Sequence, residues 1–142
     1  LEMVQKKKKI KKFIKKNKFS NQIKIIDWRN NLSHYYFKSK IFVLPSIYEG
    51  LGNVVIEALN HFLPVVISDC KSGPKEIIKN GAYGKIFKNK DVKDLCKSLK
   101  FVNDNYQDFV KKTIKGNSSL NRFLITKQCS KYYNVLKKIW KK

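Results

Sequence analysis

Apolar residues fall along this chain in short blocks divided by polar loops, and the spacing inside each block predicts an element. Ile41 to Leu44 is a continuous apolar run stopped by Pro45 and Ser46, the form a strand takes when both of its faces are buried in a parallel sheet. Pro64 to Ile67 reads the same way, with the proline at a first strand position where no ladder bond is lost, and Ile23 to Ile26, which includes Lys24, is a further expected buried strand. Tyr83 to Phe87 predicts another strand. Helical spacing marks residues 4–18 through Val4, Ile10, Phe13 and Ile14, and residues 53–61 through Val54, Val55, Ala58 and Leu59. Ser33 opens a short helix through Phe37. Gly73-Pro74-Lys75-Glu76 starts another, with proline at the first helical position and glutamate reaching back to the cap, and Asn80-Gly81 ends it. Asp91 caps a helix to about Asn103, and helices over 106–115 and 120–140 complete the chain.

Strands and helices that alternate through loops of a few residues predict an α/β fold, a Rossmann-like doubly wound parallel sheet, as one domain over residues 1–142. Residues 41–57 organise it. After the first strong strand, Gly50 and Gly52 permit a tight turn, and Asn53 is expected to cap the helix that follows. In such sheets ligands bind beyond the carboxyl ends of the strands, where a helix N-terminus offers free N–H groups and a positive dipole end. The stretch therefore predicts an anion site, most simply for a phosphate.

Charge changes this picture less than its size suggests. The net charge is +22, yet only Arg29 and Arg122 are arginines among 32 basic residues, whereas nucleic-acid recognition leans on the bidentate guanidinium. Lysine, isoleucine and asparagine rise together, a compositional background, and no nucleic-acid partner is expected. The lysine-rich helix over 4–18 reads as a solvated outer helix, with contact to an anionic membrane surface as its sharper reading. Cys70, Cys96 and Cys129 are odd in number and far apart, which predicts reduced thiols and neither a disulfide framework nor a zinc site. No apolar run reaches the length of a membrane span and no signal peptide is recognisable, so a cytoplasmic protein is expected, at most peripheral on the inner face of the membrane.

Ser46-x-Tyr48-Glu49-Gly50-x-Gly52-Asn53-x-x-x-Glu57-Ala58, followed by Pro64-Val65-Val66, Ser68-Asp69-Cys70, Gly73-Pro74-x-Glu76-Ile77 and Gly81-x-x-Gly84, resembles the donor-binding half of family 4 (group 1) glycosyltransferases of the GT-B fold. Two glutamates separated by seven residues, Glu49 and Glu57, are that family's signature. The resemblance covers roughly residues 20–140.

It implies a retaining transferase that binds a nucleotide-diphosphate sugar, UDP- or GDP-linked, with no tightly bound cofactor and no metal held by an Asp-x-Asp motif. Glu49 is expected to contact hydroxyls of the transferred sugar at the catalytic centre, and Glu57 to accept hydrogen bonds from the ribose. The diphosphate is expected to meet the backbone N–H groups of Gly50, Leu51, Gly52 and Asn53. Arg29 lies where the family places the base, beside Trp28, which is expected to pack rather than stack. His34 and His61 have no ligand-spaced partners and are expected to be structural or exposed.

Against the family's two-domain fold, the sequence is expected to lack the N-terminal domain and the first donor-domain strand. Acceptor, a glycan or a lipid-linked sugar, and efficient catalysis would then depend on the missing half. The family's usual setting is surface polysaccharide, lipopolysaccharide or glycolipid assembly. A non-catalytic remnant and a basic nucleic-acid-binding module are the competing readings.

Overall fold

The structure, a computed structural model, describes residues 2–71 and 73–140. Ser72 of the expected 68–73 loop and the side chain of Val4 lie outside the described residues. The chain divides into two compact units, Leu1–Leu32 and Ser33–Lys142.

The first unit is helix α1 (Glu2–Lys16) and a returning segment. Its lysine content leaves few apolar positions, and of those described only Ile14 is buried, while Ile10 and Phe13 are exposed. Lys18 takes a left-handed φ of 58° to reverse the chain. The Phe19 N–H then donates to the Ile14 carbonyl at 3.0 Å, and the Phe19 ring lies 6.4 Å from Phe13. Further on, Lys7 hydrogen-bonds Asp27, and this bond, with the charge behind it, lowers the Asp27 carboxyl below its ordinary range.

Two expectations fail in this unit. Residues 23–26 form no strand, and Ile23 and Ile26 are 45% and 39% exposed. A strand persists only as one side of a ladder, and the described strands pair only among themselves. Trp28 does not pack: it is 84% exposed.

The second unit holds a three-stranded parallel sheet in the order β1 (Phe42–Leu44), β2 (Val65–Ser68), β3 (Lys85–Phe87). Val66 faces Val43 on one side and Lys85 on the other in the register. Its connections are helical: α2 (Ser33–Lys38) precedes β1, α3 (Asn53–Asn60) joins β1 to β2, and α4 (Pro74–Ile77) joins β2 to β3. Beyond β3 come α5 (Val92–Asp104), α6 (Tyr106–Ser119) and α7 (Ile125–Trp140).

Alternation along β2 shows why both faces must be covered. Val65 and Ile67 join Leu44, Val55, Leu59 and Ile77 in one apolar cluster, while Val66 joins Phe87, Val102 and Phe109 in a second on the opposite face. All four residues of β2 are buried. Each fully buried valine, leucine or isoleucine contributes about 1.5–3 kcal/mol relative to an exposed one. Helix α3 presents Val55, Ala58 and Leu59 to the first cluster, and Asp91 caps α5 by accepting from the Asp94 N–H at 2.9 Å.

Several boundaries differ from the sequence pattern. Helix α4 stops at Ile77 instead of running to Asn80, because Lys79, Asn80 and Gly81 all take positive φ, at 45°, 50° and 99°. Arg122, in a 3₁₀ turn over Leu120–Phe123, caps the short helix by donating to the Glu76 and Ile77 carbonyls at 2.6 and 2.8 Å. The expected helix over 120–140 is broken at Leu124, whose ψ of 136° is extended. Among the described residues no helix is long and apolar enough to cross a membrane.

Candidate functional site

The three strands are parallel, so their carboxyl ends open onto one edge, where the loops after β1, β2 and β3 gather. The first of these runs from Pro45 to Gly52 and is anchored from both neighbours. Ser68, at the end of β2, donates its hydroxyl to the Ser46 carbonyl. Asn89, in the loop after β3, donates from Nδ2 to the Ile47 carbonyl at 3.0 Å. The Asp69 N–H bonds the Phe87 carbonyl at 2.7 Å, which continues the β2–β3 pairing into the loops.

Two glycines set how the first and second loops meet. Gly52 adopts φ 79°, ψ 53°, a left-handed conformation, and a Cβ there would sit 2.8 Å from Cγ of Pro74. Gly73 has φ 23°, and a Cβ there would fall 2.5 Å from the Cα of Leu51. Only glycine fits both constraints without displacing backbone. The turn over residues 50–52 is thereby pressed against the start of α4.

This arrangement corrects the expected cap. Gly52, not Asn53, is the N-cap of α3, and it carries no side-chain cap. Asn53 is the first helical residue and is exposed. The Val55 N–H closes a tight bond to the Gly52 carbonyl at 2.9 Å. The N–H groups of Asn53 and Val54 belong to the first turn, which has no intrahelical acceptors, and they stand at the positive end of the helix dipole.

The two glutamates stand on either side of this turn in sequence. Glu49 is half-buried, and its Oε1 accepts from the Ser46 hydroxyl at 2.8 Å. Glu57 is exposed on α3, and its Oε2 accepts from the Tyr36 hydroxyl at 3.0 Å. Tyr36 is the one buried residue of α2. Burial first, then the Glu57 carboxylate, pushes its phenol up to about 12, so it donates and does not ionise near neutrality. His61 Nδ1 lies 2.8 Å from the Glu57 carbonyl, and its ring stacks on Tyr36 at 4.9 Å; its role is structural. His34 is exposed, edge-on to Tyr35.

Of the residues the sequence singles out, Glu49, Gly50, Leu51, Gly52, Asn53 and Glu57 lie in one loop and the helix that follows it. Arg29 belongs to the first unit, where it is exposed. Ser46, Ser68 and Gly73 stand in the sequence motif without an assigned role, and Asn89 and above all Tyr36 are not legible as site residues. Tyr36 reads as a core aromatic, and nothing in the sequence ties it to a glutamate 21 positions away. Chemically, the site offers backbone donors for an anion, flanked by two carboxylates that accept from hydroxyls.

Comparison with known proteins places this geometry. Residues 4–117 match the family described as glycosyl transferases group 1. A curated relative, the amylovoran biosynthesis glycosyltransferase AmsD of Erwinia amylovora, is 43% identical over 70 residues, 49% of this chain and 20% of its own. The Escherichia coli UDP-Gal:alpha-D-GlcNAc-diphosphoundecaprenol alpha-1,3-galactosyltransferase is 28% identical over 75% of this chain and 27% of its own. Anabaena HepE, solved in complex with UDP, superimposes with a TM-score of 0.81 at 17% identity, over 92% of this chain and 36% of that one. The chain thus spans only a fifth to about a third of the length of these proteins. With a parallel sheet of the GT-B kind and a family match over most of its length, the chain belongs to the glycosyl transferases group 1 family.

Proposed function

We propose that these 142 residues are a donor-binding domain that holds a nucleotide-diphosphate sugar for retaining transfer of a hexose to a glycan or lipid-linked acceptor in surface-glycan assembly. One observation carries this reading: the turn of Gly50 to Gly52, at the carboxyl end of β1, delivers the α3 N-terminus with Glu49 before it and Glu57 after it. The diphosphate meets the backbone N–H groups of residues 50–53. An anion there gains up to about 1–2 kcal/mol from the helix end, and the negative charge that develops on the leaving diphosphate is stabilised by donors already in place. Glu57 accepts from the ribose hydroxyls and Glu49 from those of the sugar, each charge-assisted bond contributing about 1.5–3 kcal/mol. The UDP-galactose donor and diphosphoundecaprenol-linked acceptor of the Escherichia coli relative, and the UDP bound to HepE, favour UDP over GDP as carrier and a lipid-linked acceptor, which suits a cytoplasmic protein working against the inner membrane face.

Catalysis in this reading needs a second domain for the acceptor, so the 142-residue chain by itself binds donor and transfers poorly. Calorimetric titration with UDP, GDP and their sugars, beside Glu57→Ala, tests it. Preference for one nucleotide with an affinity at least about tenfold lower in the variant, 1.4 kcal/mol, supports the site. A folded chain that binds none of them removes it.

A further inference from the structure

The Tyr36–Glu57 pair carries more than a packing contact. Tyr36 is 7% exposed, and its ring is fixed by His61 stacked at 4.9 Å and by Phe42 tilted at 6.0 Å. Phe37 closes the cluster edge-on to His61, also at 4.9 Å. A buried ring packed against two others is held in place, and its hydroxyl lies 3.0 Å from Glu57 Oε2. Burying a phenol without a partner costs free energy, so the bond to a carboxylate satisfies the tyrosine as well as the glutamate.

Glu57 differs from most helix-surface glutamates. It is exposed and sits in the second turn of α3, yet it pairs with no lysine or arginine among the described residues of a chain carrying +22 charge. Its side-chain partner, the Tyr36 hydroxyl, is a neutral donor. Such a partner holds the rotamer through Oε2 and leaves the Oε1 edge available. An exposed glutamate otherwise samples several rotamers, and immobilising a side chain on binding costs conformational entropy.

We propose that Tyr36 is a positioning residue: it clamps the Glu57 carboxylate by Oε2 so that Oε1 is presented, already oriented, to the hydroxyls of a nucleotide ribose. This rests on the donor-site reading above. Tyr36 itself touches no ligand; the clamp converts a mobile carboxylate into a preorganised diol acceptor, and α2 becomes part of the site through a hydroxyl that the sequence hides in a core position.

The test uses ligands that differ only in the ribose. UDP and 2′,3′-dideoxy-UDP are titrated calorimetrically into the wild type, Tyr36→Phe and Glu57→Gln, each checked for folding by circular dichroism. Tyr36→Phe keeps the ring and its stacking and removes only the hydroxyl. The expected result is a wild type that prefers UDP by about tenfold, with Tyr36→Phe losing most of that preference while its affinity for the dideoxy nucleotide is unchanged. A merely structural role would weaken both nucleotides alike, and that outcome, or a preference kept intact in Tyr36→Phe, overturns the clamp. Failure of the underlying reading looks different: Glu57→Gln then keeps the full preference, or the folded wild type binds neither nucleotide. If Tyr36→Phe proves too unstable to titrate, the carboxyl ¹³C resonance of Glu57, compared between wild type and His61→Ala, reports whether loosening the ring releases the carboxylate. An unmoved resonance overturns the clamp.

Discussion

Gly73 lies so close to Gly50 that a Cβ on it would stand 1.9 Å from the Gly50 carbonyl oxygen. The constraint falls on Gly73, whose missing Cβ leaves the room that the Gly50 carbonyl and Leu51 fill, whereas a Cβ on Gly50 would meet nothing within 4 Å. Because Gly73 also has a φ of 23°, an alanine there meets both a backbone clash and a disfavoured conformation. Gly73→Ala is expected to destabilise the second unit by about 2–4 kcal/mol and to lower nucleotide affinity at temperatures where the variant is still folded. Thermal melts followed by circular dichroism check the first part and calorimetry the second. A variant within 0.5 kcal/mol of wild type, a limit typical of neutral surface changes, would show that the loops do not pack this way.

Arg122 supplies the second long-range fastening. Its Nη2 donates to two carbonyls at the end of α4, at 2.6 and 2.8 Å, and its guanidinium lies 4.7 Å from the Phe123 ring centroid. Arg122→Met keeps the apolar stem and leaves both carbonyls without that donor. The expected loss is about 1.5–3 kcal/mol, read as a lower urea midpoint with an unchanged slope. Arg122→Lys is expected to recover only part, since an ammonium lacks the planar fork.

These fastenings show what sequence pattern can and cannot convey. Val65 to Ile67 is legible because a strand buried on both faces is apolar without interruption, and Asp91 is legible because its cap acts three residues away. Ile23 to Ile26 is also rich in β-branched residues, but a strand needs a neighbour, which lies outside any window of sequence. Asn53 reads as the cap because a polar side chain is the commoner solution, whereas here a left-handed glycine starts the helix. The glutamate pair and glycine turn are local in sequence and were read from it; Tyr36, Ser68 and Asn89 reach the site across 21 to 42 positions, a distance at which residue identity carries no geometric signal.

Tyr36 also predicts an alkaline signature. Its phenol is raised from 10.0 to about 12, by burial first and then by Glu57. A folded-state value above the unfolded one means that the unfolded chain loses its proton first as pH rises. The stability held below pH 10 is therefore lost progressively between about 10 and 12, by an amount on the order of 2 kcal/mol. Tyr36→Phe has no such proton to lose. Urea unfolding at intervals across this window is expected to show a steeper decline for the wild type than for the variant, and parallel declines would mean that the phenol is not perturbed in solution.

Helix α7 leads to the opposite kind of prediction, one of little effect. Ile125, Tyr132, Leu136, Ile139 and Trp140 recur along one side of it and Lys127, Lys131 and Lys138 along the other, yet none of its residues is buried. Gln128 tethers it to what precedes it by donating to the Arg122 carbonyl at 2.6 Å. Such a bond contributes about 1 kcal/mol net, or about 4–8 °C in melting temperature for a small domain. A chain ending at Leu124 keeps Arg122 and both apolar clusters, so its midpoint is expected to fall by no more than about that interval, while its solubility rises with the loss of an uncovered apolar stripe. A fall at least twice as large would mean that α7 folds its apolar side onto the second unit in solution. In that case the aromatic residues Tyr132 and Trp140 belong to the core of this chain, and not to its surface.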